Sequence, residues 1–197
     1  MNKAQLIDYL RSEGFSEKIL NSFNKVKREK FVPKEFIKYT YNNEPIPIAK
    51  GSTISQPYTI AFMLDLLELK DNQTILEIGS GSGYVLELMN NISKNSKIIG
   101  IEINKELVKK SKLVLKSQDN IEIIHTDDKT TKKKFDRILV SASSDKMPFH
   151  LFKQLKEDGI LIVPVQNSIW KITKTKTKIN KEEFPGFVFV PLVKEQD

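Results

Sequence analysis

Short isoleucine- and valine-rich runs recur along the second part of the chain: TILEI (74–78), KIIGIE (97–102), IEIIH (121–125), RILVSA (137–142) and ILIVPV (160–165). Each has the length and composition of a buried strand. The stretches VLELMNNI, KELVKKSKLVLKS and PFHLFKQL lie between them with apolar residues at helical spacing. Strands that alternate with helices pair in parallel, and the helices cover both faces of the sheet. The end of the chain reads differently: IWKITKTKTKI, a polar turn around Asn180 to Pro185, then GFVFVPLV. That order predicts an antiparallel hairpin. Ahead of the strands, residues 1 to about 40 read as helical through Leu6, Tyr9, Leu10, Ile19, Leu20 and Phe23. Gly14 divides that region and Ser16 is a candidate cap for its second helix. Pro33, Pro45 and Pro47 then mark an extended segment up to Ser55. The expected architecture is a single α/β domain over 1–197. Residues 1–55 form a helical and extended cap, and residues 56–197 a doubly wound, mostly parallel sheet with a C-terminal hairpin.

Composition narrows the function classes. The chain has 197 residues, of which 39% are hydrophobic, enough for one substantial core. No run approaches the roughly 18 apolar residues that span a bilayer. The opening MNKAQLIDYLRSEGF reads as an amphipathic helix rather than a signal peptide. A cytoplasmic, monomeric protein without membrane association is expected. Cysteine is absent and histidine is limited to His125 and His150. A thiolate or histidine metal centre and a Ser-His relay are therefore not expected. The net charge is +7, but the lysines are scattered among acids without arginine-aromatic interleaving. The densest run, KITKTKTKINK, fits an edge strand whose lysines discourage further pairing, and a nucleic-acid partner is not expected.

The stretch TILEIGSGSGY carries the strongest chemical signal. A strand runs into Gly79-Ser80-Gly81-Ser82-Gly83 and then a helix. Glycines there allow a tight turn and close approach of a ligand to the backbone. A dinucleotide fingerprint would need a glycine where this chain has Tyr84. The acidic Glu77 instead suits the ammonium and sulfonium of S-adenosylmethionine. Glu102, ending the second of the strands, could accept hydrogen bonds from ribose hydroxyls, with Ile103 beside it. Asp127 and Asp128, after the third, could reach the adenine amine. The same residues could serve only turns and helix caps, since Asn104 after Glu102 is itself a fair N-cap.

IPIAKGSTISQPYTIAFMLDLLEL (46–69), followed by ILEIGSGSGY, resembles the protein-L-isoaspartate O-methyltransferases. The likeness extends back to Arg28 and FVP (31–33), and forward through FDRILVSA, QLKEDGILIVPV and FVPL (189–192). It implies a class I methyltransferase-like, Rossmann-like fold. It also implies methyl transfer from S-adenosylmethionine, leaving S-adenosylhomocysteine, to the free carboxylate of isoaspartyl residues in damaged proteins. Ser55 matches the family's active-site serine. Thr53, Ile54, Gln56, Ala142, Val190 and Pro191 are expected on the substrate side of the cleft. Where the family shows Gly-Asp-Gly after the third strand, this chain has Thr126-Asp127-Asp128.

A carboxylate is already ionised at neutral pH, so this chemistry needs no general base. Ser55 would then donate a hydrogen bond rather than attack. Ser55 or Gln56 could alternatively cap the helix beginning near Pro57. Other readings keep the cofactor but change the role: methylation of an aspartate in a dedicated peptide partner, or a non-catalytic adenosyl-binding module. Methylation of a base amine is disfavoured. Val140-Ser141-Ala142-Ser143 stands where that chemistry usually brings an Asn/Asp-Pro-Pro-aromatic motif.

Overall fold

Alternate residues of the isoleucine-rich strands enter two different cores. In the computed structural model, which describes residues 1–126 and 133–191, Ile75, Ile98, Ile123, Leu139, Ile160 and Ile162 face one core. Leu76, Ile99, Ile101, Ile138, Val140, Leu161 and Val163 face the other. The period of two that sends successive side chains to opposite faces thus explains why these runs carry apolar residues at successive positions.

The elements follow in the order α1 (Lys3–Ser12), α2 (Glu17–Lys25), two 3-10 turns (Arg28–Lys30 and Lys34–Tyr39), β1 (Ile46–Ala49), β2 (Ser52–Ile54), α3 (Pro57–Leu66), β3 (Thr74–Ile78) and α4 (Tyr84–Ile92). Then come β4 (Lys97–Glu102), α5 (Lys105–Val114), β5 (Ile121–His125), β6 (Phe135–Val140), α6 (Phe149–Phe152), β7 (Leu155–Val165), β8 (Ser168–Lys174) and β9 (Ile179–Pro185). Strands β3 to β9 form one sheet in the order β5-β4-β3-β6-β7-β8-β9. The first five of that order run parallel, and β8 and β9 complete it antiparallel. Helices flank both faces, unequally. Residues of α1 to α5 fill the first core, whereas α6 contributes Leu151 and Phe152 to the second.

Three expectations need correction. The α-helices end at Lys25, and helical character toward residue 40 continues only as 3-10 segments. Val26 and Phe31 turn inward, and Pro33 withdraws an amide and restrains the residue before it, leaving two short 3-10 turns. Ser16 does hold the N-cap position of α2, but through its carbonyl, which accepts from Ile19 and Leu20.

The hairpin is also shifted. Its turn lies at 175–178, where the Thr175 and Lys178 backbones and the Thr175 hydroxyl close on one another. The return strand is therefore β9, not GFVFVPLV. Residues 186–191 instead cross the strand ends: Phe187 stacks on Phe62 of α3 at 5.0 Å, and Ser143 donates to the Val190 carbonyl. The lysine-threonine run is only partly an edge strand: it begins in β8, turns, and enters β9 with Asn180 and Lys181. β8 is paired on both sides, and β9 is the edge, guarded by Lys181, Glu182 and Glu183.

One glycine inside the sheet sets the seat of the loop after β3. A β-carbon on Gly100 in β4 would lie 2.7 Å from Leu86 Cδ1 and 3.0 Å from the Ser80 side chain. The close approach of α4 and the glycine loop to the sheet requires a missing side chain there. Gly100→Ala is expected to lower stability by about 1–3 kcal/mol, the usual effect of overpacking, read as a lower urea midpoint. An unchanged midpoint would contradict this packing.

Candidate active site

The bend that follows β3 is built from conformations other residues resist. Gly79, Gly81 and Gly83 all have positive φ, and a β-carbon on Gly83 would come within 2.8 Å of Leu115 Cδ1. The bend is pinned to β4 by its amides. Gly79 and Ser80 donate to the Ile101 carbonyl at 2.9 and 3.0 Å, and Gly81 donates to Glu102 Oε2 at 2.8 Å. Glu102 Oε1 accepts from the Asn104 amide at 2.8 Å. Asn104 caps α5 by accepting from Glu106 and Leu107. The capping role thus belongs to Asn104, while the buried Glu102 braces the glycine loop. Each of its oxygens still has acceptor capacity.

Glu77 stands beneath the bend, 1% exposed. Its Oε1 accepts from the Ser141 hydroxyl at 2.7 Å, and its Oε2 is buried with no partner. Burial pushes its pKa up to about 8; the nearby Glu102 charge adds to that rise and the Ser141 bond opposes it. A bare, desolvated carboxylate oxygen is costly unless a donor or cation meets it. The hydroxyls of Ser80 and Ser82 are likewise buried and unpartnered. Such a set fits the ammonium end of an amino-acid ligand.

Two adjoining cavities open here. One is lined by Thr53, Ile54 and Ser55 from the β2–α3 segment and by Glu77, Gly79, Ser80, Gly81 and Ser82 from β3 and the bend after it. The second is lined by Glu102, Ile103, Thr126, Ala142, Val190 and Pro191 among others. They share Ile48, Thr53, Gly79, Gly81 and Ser141, so they are two halves of one cleft. The cleft sits at the carboxyl ends of β3, β4 and β6, where the strand order reverses around β3, the usual ligand crevice of an open α/β sheet.

Ser55 projects from the bend between β2 and α3. Neither it nor Gln56 caps the helix with its side chain, contrary to one reading of the sequence. Pro57 has no amide to satisfy, and the Tyr58 amide is capped from elsewhere, by Asn43 Oδ1 at 2.9 Å. Among the described residues the Ser55 hydroxyl makes no hydrogen bond, while its carbonyl accepts from Arg28 Nη2 at 3.0 Å.

Two sequence-predicted residues do not line the cleft: Gly83 heads α4 and Gln56 heads α3. Asp127 and Asp128 lie outside the described residues. Residues not anticipated are Ile48, Thr126 and Ser141 in the walls and Asn43 behind them. Ser141 had a signal, a hydroxyl one residue beyond a buried strand. Asn43 had none.

The profile of the family described as protein-L-isoaspartate(D-aspartate) O-methyltransferase matches residues 1–197. A protein-L-isoaspartate O-methyltransferase of Petrotoga mobilis is 42% identical, over 96% of this chain and 94% of its own length. One of Archaeoglobus fulgidus is 34% identical over 96% of this chain and 92% of its own. Among solved structures, a Plasmodium falciparum protein described as a protein-L-isoaspartate O-methyltransferase, in complex with S-adenosyl-L-homocysteine, superimposes with a TM-score of 0.86. It is 30% identical, covering 99% of this chain and all of that one.

The raised Glu77 pKa makes a pH prediction for the ligand-free protein. Between the ordinary glutamate value of 4.5 and about 8, the folded state keeps a proton that the unfolded chain gives up. The Glu77 contribution is then full below the lower value and fades as pH rises through 8. Chemical denaturation at pH 5 and pH 8 should show Glu77→Gln more stable relative to wild type at the higher pH, by on the order of a few kcal/mol. A wild-type-to-variant difference independent of pH would contradict it.

Proposed function

This chain belongs to the protein-L-isoaspartate(D-aspartate) O-methyltransferase family, and we propose how its residues carry the reaction. It is an S-adenosylmethionine-dependent enzyme that methylates the free carboxylate of L-isoaspartyl residues in damaged proteins. The methyl ester then closes to a succinimide as the neighbouring backbone nitrogen attacks and methanol leaves, and reopening gives the normal linkage another chance. The observation that carries the residue assignment is one cleft with the unpaired Glu77 oxygen on one wall and the unbonded Ser55 hydroxyl on the other.

S-adenosylmethionine, when bound, supplies a methyl group on a sulfonium, which needs no acid to release it. Glu77 Oε2 would take the cofactor's ammonium, with the unpartnered hydroxyls of Ser80 and Ser82 beside it. Glu102 and Ile103 would hold the ribose end, and the sequence assigns the adenine end to Asp127 and Asp128, which lie outside the described residues. Thr53, Ile54, Ala142, Val190 and Pro191 would bound the substrate, with Gln56 at the helix start behind them. Ser55 would donate a hydrogen bond from its hydroxyl to one substrate carboxylate oxygen and leave the other free to react. The apolar side chains of Ile48, Ile60 and Met63 on the same wall keep water from competing. Orientation of this kind can supply several kcal/mol, and no proton has to move to reach the reactive state.

We read the enzyme as a cytoplasmic monomer that does not bind nucleic acid. Support for the last point comes from the lysines of the terminal strands, which are used internally. Lys171 pairs with Glu68 at 2.5 Å, Lys174 donates to the Leu155 carbonyl at 2.9 Å, and Lys181 lies over the Phe149 ring. Among the described residues no helix is long and apolar enough to cross a membrane.

Ser55→Ala should cut turnover on an isoaspartyl peptide while S-adenosylhomocysteine affinity, read by calorimetry, stays near wild type. An equal loss of both would make Ser55 a structural residue. Glu102→Ala should weaken S-adenosylhomocysteine binding by roughly 1–3 kcal/mol, the scale of hydrogen bonds to a charged group. Unchanged affinity would remove Glu102 from the site.

A further inference from the structure

Arg28 is buried completely, the largest side chain in the described structure to be so. Guanidinium groups do not shed their proton in proteins, so a full positive charge lies inside the fold. Among the described residues no carboxylate pairs with it. The adjacent Glu29, which could have neutralised it, accepts instead from the Tyr41 hydroxyl. Nε and Nη1 of Arg28 make no hydrogen bond, although the Tyr84 side chain beside the group favours its charge. Two contacts hold the group: Nη2 donates to the Ser55 carbonyl at 3.0 Å, and the guanidinium carbon lies 5.2 Å from the centre of the Tyr84 ring. Tyr84 is fixed in turn by Phe23 and Phe31, and it lines the same cavity as Ser55.

Burying an unpaired charge costs several kcal/mol, and a well-packed apolar residue would be the cheaper filler. A cation kept at such cost, with its one hydrogen bond on the peptide of Ser55, points to use rather than packing. We propose that Arg28 is a positioning residue for methyl transfer: it clamps the Ser55 peptide from behind the cleft and so fixes where the serine hydroxyl points. The clamp works with Asn43, which caps the following helix at Tyr58. Between them the bend is held on both sides and the Ser55 side chain is left free for substrate. The charge also makes the serine wall the positive side of a cleft whose opposite wall carries Glu77 and Glu102. That polarity suits a carboxylate on the one side and a cationic cofactor on the other. The proposal rests on the reading of Ser55 as the donor to the substrate carboxylate.

The test is a double-mutant cycle in the full-length protein with an isoaspartyl peptide. R28K keeps a cation but loses the planar fork, and S55A removes the hydroxyl. R28K is expected to lower kcat on the order of ten- to a hundredfold, the effect of misplacing a reacting group by about an ångström. Affinity for S-adenosylhomocysteine and the melting temperature stay near wild type. In the S55A background the same R28K change should move kcat by less than about twofold, because coupled residues are non-additive. R28M, which removes the buried charge, should melt close to wild type and still be slow. An equal kcat loss from R28K in both backgrounds, or activity that falls only in step with melting temperature, overturns the proposal. If S55A alone leaves turnover intact, the premise about Ser55 fails, and that result is read from the single variant before Arg28 enters.

Discussion

A carboxylate buried at the end of the first parallel strand, with one oxygen bare, is the constraint around which the cleft is arranged. Glu77 has Ser141 for one oxygen and nothing for the other, and burial raises its pKa to about 8. Such a group is tolerated where a ligand can complete it. The glycines let the chain turn above it without side chains in the way, and Gly100 lets that turn sit down on the sheet. Glu102 then ties the turn to the next strand through the Gly81 amide. The acids that could hold a cationic cofactor and the backbone that shapes its pocket are therefore one hydrogen-bonded unit.

The opposite wall solves a different problem, that of holding a small polar side chain still without using it up. Helix starts commonly take a serine hydroxyl as their cap. Here Pro57 removes one amide from need and Asn43 satisfies the next, so the Ser55 hydroxyl stays unbonded. The restraint falls on the backbone through Arg28. Separating what fixes the residue from what the residue offers allows one hydroxyl to act on substrate without a histidine or acid beside it.

Much of this was legible from sequence, for physical reasons particular to each segment. The five parallel strands are apolar on both alternations because two cores claim them, so their runs stand out. TISQPY and the glycine bend are short, local and carry their own geometry. The hairpin was misread because lysine-threonine alternation looks the same on an edge strand and on one whose lysines fold back onto Glu68 and Leu155. GFVFVPLV has strand composition, yet Phe187 is taken by the Phe62 ring of α3. Arg28 lies in the charged string VKREKF, which reads as solvated surface. Its burial depends on Tyr84, more than fifty positions away, and no local pattern carries that.

Methyl transfer to an oxygen that is already charged asks the protein for alignment and dryness, and both are properties of the cleft walls rather than of any titrating group. The reaction thus suits a chain with no cysteine and two histidines. The most direct measurement is a crystal structure with S-adenosylhomocysteine and an isoaspartyl peptide bound together. The Ser55 hydroxyl is expected within hydrogen-bonding distance of one peptide carboxylate oxygen, with the other oxygen facing the thioether sulfur. A peptide carboxylate seated against other residues, with Ser55 turned away from it, would contradict the account.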